Sequence, residues 1–146
     1  LGDAHPRTIT SINNLGTLLR AQGLHADAMV LLEEAMQASR TTLGDTHPAT
    51  LSSIYNYGQI LEEVGKLDEA IVLFEEELDG CSLRYGATHE QTVQSACHLV
   101  KLLTHPKLPT DRRDEAFRIA AAHDLLDHFD DFDFWGTTPN EAEGAV

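Results

Sequence analysis

The eight residues that open this chain return twice, each time after the same interval. "LGDAHPRT" begins at Leu1, "LGDTHPAT" begins at Leu43, and a weaker "YGATHEQT" begins at Tyr85, so both offsets are 42 residues. Local turn chemistry has no reason to recur at a fixed distance, whereas an internal structural repeat does. We therefore predict three repeats, at residues 1–42, 43–84 and 85–132, followed by an acidic tail at 133–146.

The apolar residues within one repeat recur at helical spacing. Two stripes are separated by Gly23, which is typical of the break between two helices. Strands would need a period of two instead. Each repeat is therefore predicted to be a pair of helices, with the first stripe at Ile9, Ile12, Leu15, Leu18 and Leu19 and the second at Ala28, Leu31, Leu32, Ala35 and Met36.

The repeated octapeptide is predicted to connect one helix pair to the next. Gly44 can adopt the left-handed conformation that closes a helix, and Pro48 is suited to a first helical turn, where a missing N–H costs nothing. His47 then falls at the N-cap position. This capping role explains why a histidine recurs at the same place in each repeat.

The small residues resemble those of a known repeat family. Gly16, Gly23, Ala28 and Ala35 have the spacing of the Gly, Gly, Ala, Ala landmarks of the tetratricopeptide repeat, although the second repeat has Glu77 at the last landmark. The standard unit has about 34 residues, so this chain resembles the long tetratricopeptide repeats of kinesin light chains and related scaffold proteins. The resemblance covers residues 1–84 well and 85–128 loosely. It implies an all-α fold, a right-handed superhelical solenoid.

The third repeat departs from the other two. Val100 replaces the glycine at which the helices cross, and Pro106 and Pro109 cannot lie inside a helix. We predict a widened loop around the two prolines. A last helix from about Asp111 to Phe132 is expected to close the array.

Composition and charge limit the partners and the compartment. The formal net charge is −14, and residues 124–146 contain seven acids and no Lys or Arg. Phosphate backbones would be repelled, so we expect no nucleic acid partner. With only two cysteines and no apolar run of the roughly 18 residues that a membrane span needs, we expect a soluble, intracellular protein, most simply cytoplasmic, and no membrane insertion. An upstream targeting signal stays open.

No residue pattern predicts a reaction centre. His5, His47 and His89 lie one repeat apart and cannot share one metal ion, and neither Cys81 nor Cys97 belongs to a nucleophile motif. We therefore expect no enzyme activity, no cofactor and no metal.

A binding surface is the better functional candidate. The resemblance implies a concave groove lined by the first helix of each repeat, and Asn14 and Asn56, one period apart, would form an amide ladder that holds a peptide. The alternative is a merely solvated polar surface. Recognition of an acidic C-terminus would need several cations in the groove, and Lys101 is the one Lys or Arg among the groove residues. We therefore do not expect that kind of ligand. The groove residues implied are Thr10, Asn13, Asn14, Thr17, Ser52, Tyr55, Asn56, Gln59, Gln94, Cys97, His98 and Lys101.

An aromatic, acidic string, "HFDDFDFWG", lies near the C-terminus. Leu125, Phe129 and Phe132 continue a helical stripe and would cap the last repeat. Alternatively Phe132, Phe134 and Trp135 form a linear motif, similar in character to the tryptophan-plus-acid peptides that kinesin light chain repeats bind. The residues beyond them are too polar to bury and predict a disordered tail.

Two functional hypotheses follow. The first is a non-catalytic scaffold or adaptor that binds a peptide or helix of a partner protein in the concave groove. The second is a structural subunit built permanently into a large assembly. Size-exclusion chromatography of the endogenous protein separates them, because an adaptor has a free pool and a permanent subunit has none.

Overall fold

A computed structural model describes residues 5–126 as six α-helices joined by short turns. Within that range no residue is in a β-strand. The predicted helix pairs are thereby confirmed. The helices are α1 Pro6–Ala21, α2 His25–Leu43, α3 Pro48–Glu63, α4 Leu67–Tyr85, α5 Glu90–Leu103 and α6 Arg112–Ala122.

The chain divides into two compact units. Unit 1 is Leu1–Arg84 and unit 2 is Tyr85–Val146. Unit 1 contains two helix pairs, α1 with α2 and α3 with α4, whereas unit 2 contains α5 and α6.

The recurring histidine caps the first helix of every pair, as predicted. The Nδ1 atoms of His5, His47 and His89 accept hydrogen bonds from the backbone N–H groups two residues later, at 3.1, 3.1 and 3.2 Å. Each bond satisfies one of the N–H groups that a helix start leaves unpaired. The three histidines therefore have a structural role that needs no metal.

Gly44 differs in one detail from the prediction. Its φ of 88° is positive, but its ψ of 164° is extended, so the residue is not in the left-handed helical conformation. This combination is essentially restricted to glycine. The connector therefore turns out of α2 through an extended residue, and the N–H of Gly44 donates to the carbonyl of Arg40 at 3.1 Å.

Small residues let the two helices of each pair in unit 1 approach closely. A Cβ atom added at Gly16 would lie 2.8 Å from the side chain of Leu32, and one added at Gly58 would lie 2.9 Å from the ring of Phe74. Real Cβ atoms do not come so near other atoms. Glycine is therefore required at the crossing point of both pairs, as the family resemblance implied.

The two repeats of unit 1 are joined by apolar, polar and ionic contacts. Ile60 of α3 packs against Ala28 and Leu32 of α2, while the hydroxyls of Ser39 and Ser53 lie 3.2 Å apart in the buried interface. A third contact joins the second helices, because the Arg40 guanidinium donates to both carboxylate oxygens of Glu76. This hydrogen bonding raises the pKa of Arg40.

The apolar stripe predicted on α1 is only partly buried. Ile9 is 2% exposed, but Leu15 and Leu18 are 49% and 54% exposed. These two leucines keep the helical spacing of the stripe but lie at the surface of α1.

A carboxylate lies buried in α4. Glu77 is 8% exposed and accepts a hydrogen bond from the Cys81 thiol, with Sγ and Oε1 3.4 Å apart. Burial, with the neighbouring Glu77 carboxylate, raises the pKa of Cys81 from its ordinary 9.0 to about 12. The thiol therefore stays protonated at neutral pH, which makes it a poor nucleophile.

Unit 2 has the predicted loop between α5 and α6. Within this loop the Nδ1 atom of His105 accepts a hydrogen bond from the backbone N–H of Lys107 at 3.2 Å. The histidines at the helix starts make the same hydrogen bond. The predicted last helix, Asp111 to Phe132, was too long, because α6 ends at Ala122. Asp124 has a φ of 60°, and the N–H of Leu125 donates to the carbonyl of Ala120 at 2.8 Å. This bond closes the helix.

We expect the histidine cap to contribute measurably to the stability of unit 1. His47→Ala removes the acceptor and should lower the free energy of unfolding by about 0.5–2 kcal/mol, as loss of an N-cap does elsewhere. His47→Asn, which keeps an acceptor, is the matched control and should recover most of the loss. Urea unfolding followed by circular dichroism measures both, and equal losses in the two variants would contradict the capping role.

The raised pKa of Cys81 predicts an alkaline loss of stability. Between pH 9 and 12 the folded protein holds the thiol proton more tightly than the unfolded chain, so the contribution is complete below pH 9 and is lost as pH approaches 12. Cys81→Ala should therefore show a smaller fall in unfolding free energy between pH 8 and pH 10.5 than the wild type shows. Equal falls in urea titrations at the two pH values would refute this.

Candidate functional site

The candidate site in unit 1 is the polar side of α1 and α3, the first helices of the two repeats. We define the amide face as Thr10, Asn13, Asn14, Thr17, Ser52, Tyr55, Asn56 and Gln59. Thr10, Asn14 and Ser52 are exposed, and the other five residues are half-buried. The two helices contact one another directly, so the amide face is continuous across the repeats.

An amide pair links the two helices at the middle of this face. The Nδ2 of Asn56 donates to the Oδ1 of Asn13, with 3.3 Å between the atoms. Asn14, which lies one period before Asn56, is the next residue along α1 and is exposed. The bond to Asn56 is therefore made by Asn13, one residue away from the repeat period.

The hydroxyls of Thr10 and Thr17 donate hydrogen bonds to backbone carbonyls of α1 itself. Thr10 Oγ1 donates to the carbonyl of Pro6 at 3.0 Å, and Thr17 Oγ1 donates to the carbonyl of Asn13 at 2.9 Å. A hydroxyl has one proton to donate and two lone pairs. Both hydroxyls can therefore accept, but not donate, a bond to a ligand in this arrangement.

A charged cluster closes the far end of the amide face. Arg20 donates to the amide oxygen of Gln59, and its Nε lies 3.6 Å from a carboxylate oxygen of Glu63. His25 Nε2 lies 3.9 Å from the other oxygen of Glu63. Sequence reasoning did not identify this cluster. The spacing of 39 residues between Arg20 and Gln59, close to the repeat period, was the available signal.

Tyr55 lies over the second helix of its repeat. Its ring meets that of Phe74 edge to face, with centroids 5.6 Å apart and planes at 61°. Burial raises the pKa of the Tyr55 hydroxyl, and the charges of Glu77 and Glu62 raise it further. Tyr55 thus gives the amide face an aromatic, uncharged border.

The predicted groove residues of unit 2 all lie on α5. Gln94 and Lys101 are exposed, while Cys97 and His98 are half-buried. Gln94 donates to a carboxylate oxygen of Glu90 at 3.2 Å. Burial raises the pKa of the Cys97 thiol, and the nearby Lys101 ammonium acts in the opposite direction.

Other predictions fall outside this site. Phe132, Phe134 and Trp135, together with the tail, lie outside the described residues. Among residues 5–126, no three His, Cys, Asp or Glu side chains are grouped so that they could hold a metal ion. None of the helices in the same part of the chain is both long enough and apolar enough to cross a membrane.

Comparison with known structures gives the same fold. A kinesin light chain-like protein of Podosopora anserina with nearly identical TPR-like repeats aligns with a TM-score of 0.57 and 19% identity, over 85% of this chain and 71% of that one. BtubC (BKLC) from P. vanneervenii aligns with a TM-score of 0.69 and 14% identity, over 99% of this chain and 65% of that one. This chain therefore spans just under two thirds of BtubC. No curated protein matches the sequence.

The sequence match is made by the repeats themselves. The model of the tetratricopeptide repeat family matches residues 7–82, which is more than half of the chain. Those residues include α1 except for its first residue, all of α2 and α3, and most of α4. The chain belongs to the tetratricopeptide repeat family.

Proposed function

We propose that this chain is a non-catalytic protein-interaction module whose amide face binds a peptide or helix of a partner protein. Tetratricopeptide repeats generally mediate protein–protein interactions. The observation that carries the proposal is the hydrogen bond between Asn56 and Asn13, which holds the amides of two successive repeats in one surface.

The chemistry of the amide face suits a polypeptide backbone. A side-chain amide has two N–H donors and an acceptor oxygen, so an asparagine can bond the C=O and the N–H of a ligand. Packed helices lie on the order of 8–10 Å apart, and an extended peptide advances about 3.3 Å per residue. Neighbouring helices would therefore contact an extended ligand about once every three residues.

The amide face carries no formal charge along its length. Its eight residues are amides, hydroxyls and one tyrosine, and the charges of Arg20 and Glu63 are paired with each other at one end. Recognition would then depend on backbone hydrogen bonds rather than on ion pairs. We accordingly expect affinity to change little between 50 and 300 mM salt.

The test uses peptides selected on the protein itself. A random 12-residue phage library is panned on the wild type, and the selected peptides are titrated by calorimetry. Asn13→Ala with Asn56→Ala should weaken the binding at least tenfold, since each lost hydrogen bond contributes about 0.5–1.5 kcal/mol and 1.4 kcal/mol is a factor of ten.

The control is an amide on another surface. Gln37→Ala on α2 removes an exposed amide and should leave both affinity and thermal midpoint unchanged. Circular dichroism must show the same helix content in all three proteins. Selected peptides that bind the double asparagine variant as tightly as the wild type would disprove the role of the amide face.

A further inference from the structure

The three most exposed large apolar side chains of the described residues all lie on the second helices of the repeats in unit 1. Val30 of α2 is 64% exposed, and Val72 and Leu83 of α4 are 61% and 80% exposed. Val30 and Val72 are one period of 42 residues apart. The same position is therefore apolar and open to solvent in both repeats.

These valines and the leucine share one side of each helix with carboxylates. The α4 members are spaced i, i+4, i+7 and i+11, so at about 100° per residue they lie within roughly 60° of one another, opposite the buried Ala70 and Phe74. All of the residues on this side are exposed except Glu76, which is half-buried. We define the outer face of unit 1 as Val30 and Glu34 of α2 and Val72, Glu76, Asp79 and Leu83 of α4.

An ion pair holds the two parts of the outer face beside each other. The Arg40 guanidinium of α2 donates to both carboxylate oxygens of Glu76 of α4, and a carboxylate oxygen of Asp45 lies 3.8 Å from Nη1 of Arg40. The two helices are thereby fixed side by side on this side of unit 1. The positive charge of Arg40 is already opposed by two carboxylates.

The negative charge of unit 1 is concentrated on the same two helices. Together α2 and α4 contain nine Asp or Glu residues and two Arg, whereas α1 and α3 contain two Glu and two Arg. The outer face itself has three carboxylates and no Lys or Arg. A surface of apolar side chains among carboxylates favours a ligand that supplies both apolar area and positive charge.

Charge complementarity decides between the possible occupants of the outer face. A second copy that paired the same face in a two-fold dimer would place carboxylates opposite carboxylates. Residues 124–146 of the chain itself contain seven acids and no Lys or Arg, so they would be repelled as well. The occupant that the charges favour is a segment of another protein that is rich in Lys and Arg.

We propose that the outer face of unit 1 is a second docking surface, which binds a basic amphipathic helix of a partner protein. Val72 and Leu83 are eleven residues apart, about 16 Å along α4, and an antiparallel helix with apolar residues at the same spacing would meet both. Lysines or arginines between those residues would lie opposite Asp79 and beside Glu34. The outer face lies on the second helices and the amide face on the first, so either can fail without the other.

The probe is a fluorescein-labelled, alanine-based peptide of about 18 residues, which is long enough to form a helix in water. It carries two leucines eleven positions apart and four lysines, two of them between the leucines on the same side. A control peptide has the same composition, with the two leucines on opposite sides of the helix. Anisotropy titration should show saturable binding of the first peptide, several-fold tighter than that of the control, and this binding should weaken between about 50 and 300 mM salt.

Two double variants separate the charge of the outer face from its apolar area. Glu34→Lys with Asp79→Lys should weaken binding of the first peptide by about tenfold or more, because two attractions become repulsions. Val72→Ser with Leu83→Ser should abolish the preference for the first peptide over the control peptide. The thermal midpoint and the circular dichroism of each variant must match those of the wild type.

The matched control reverses two acids elsewhere. Glu90→Lys with Asp111→Lys alters two exposed residues of unit 2 and changes the net charge by the same amount, and it should leave the affinity within about twofold because salt screens distant charges. Equal losses in the two charge-reversed variants would overturn the proposal. So would equal affinity for the two peptides, or no saturable binding at about 1 mM peptide in 50 mM salt.

Self-association and the amide face are tested in the same series. Sedimentation velocity from about 5 to 500 μM should show a monomer, whereas a dimer that Glu34→Lys with Asp79→Lys dissociates would assign the outer face to a second copy and reject the partner helix. Peptides selected on the amide face should bind the outer-face variants as tightly as the wild type. A loss of those peptides as well would contradict the separation of the two surfaces.

Discussion

The approach of two helices over a glycine is the constraint on which the rest of unit 1 depends. At Gly16 and Gly58 the first helix has no side chain, and the second helix fills the space with Leu32 or Phe74. A larger residue there would force Leu32 or Phe74, or the helix that carries it, to move. The distance between α1 and α2 fixes the position at which α3 packs on α2. That position in turn determines which residues of α1 and α3 meet. The amide pair Asn13–Asn56 is one product of that geometry.

Helix number, helix pairing and the capping histidines could be predicted from the sequence because each has a local cause. Apolar spacing indicates a helix, and a histidine that recurs at the same place in each repeat indicates where the first helix of the pair begins. The end of α6 could not be predicted in this way, because the apolar pattern continues past the point at which Asp124 adopts a positive φ. Periodicity reports which residues are apolar and not where the backbone turns.

The candidate site was predicted less completely than the fold. The resemblance implied that Asn13 and Asn14 both belong to the groove, and the structure shows that Asn13 bonds to Asn56. Which of the two meets Asn56 depends on the offset between neighbouring helices, which no single-helix pattern contains. The exposure of Leu15 and Leu18 cannot be read from the sequence for a related reason. Apolar spacing indicates a helix, whereas burial depends on what packs against it.

The buried pair Glu77 and Cys81 has a consequence for the modularity of the chain. The residue 42 positions before Cys81 is Ser39, which bonds forward to Ser53 in the next repeat, whereas Cys81 bonds back to Glu77 in its own helix. In the first repeat, the residue equivalent to Glu77 is Ala35, which has no exposed surface. The two repeats share a backbone plan but are not interchangeable. If their order were reversed, the helix facing Ser11 would offer a thiol already bonded to a carboxylate in place of a hydroxyl, and a contact like that between Ser39 and Ser53 would be lost.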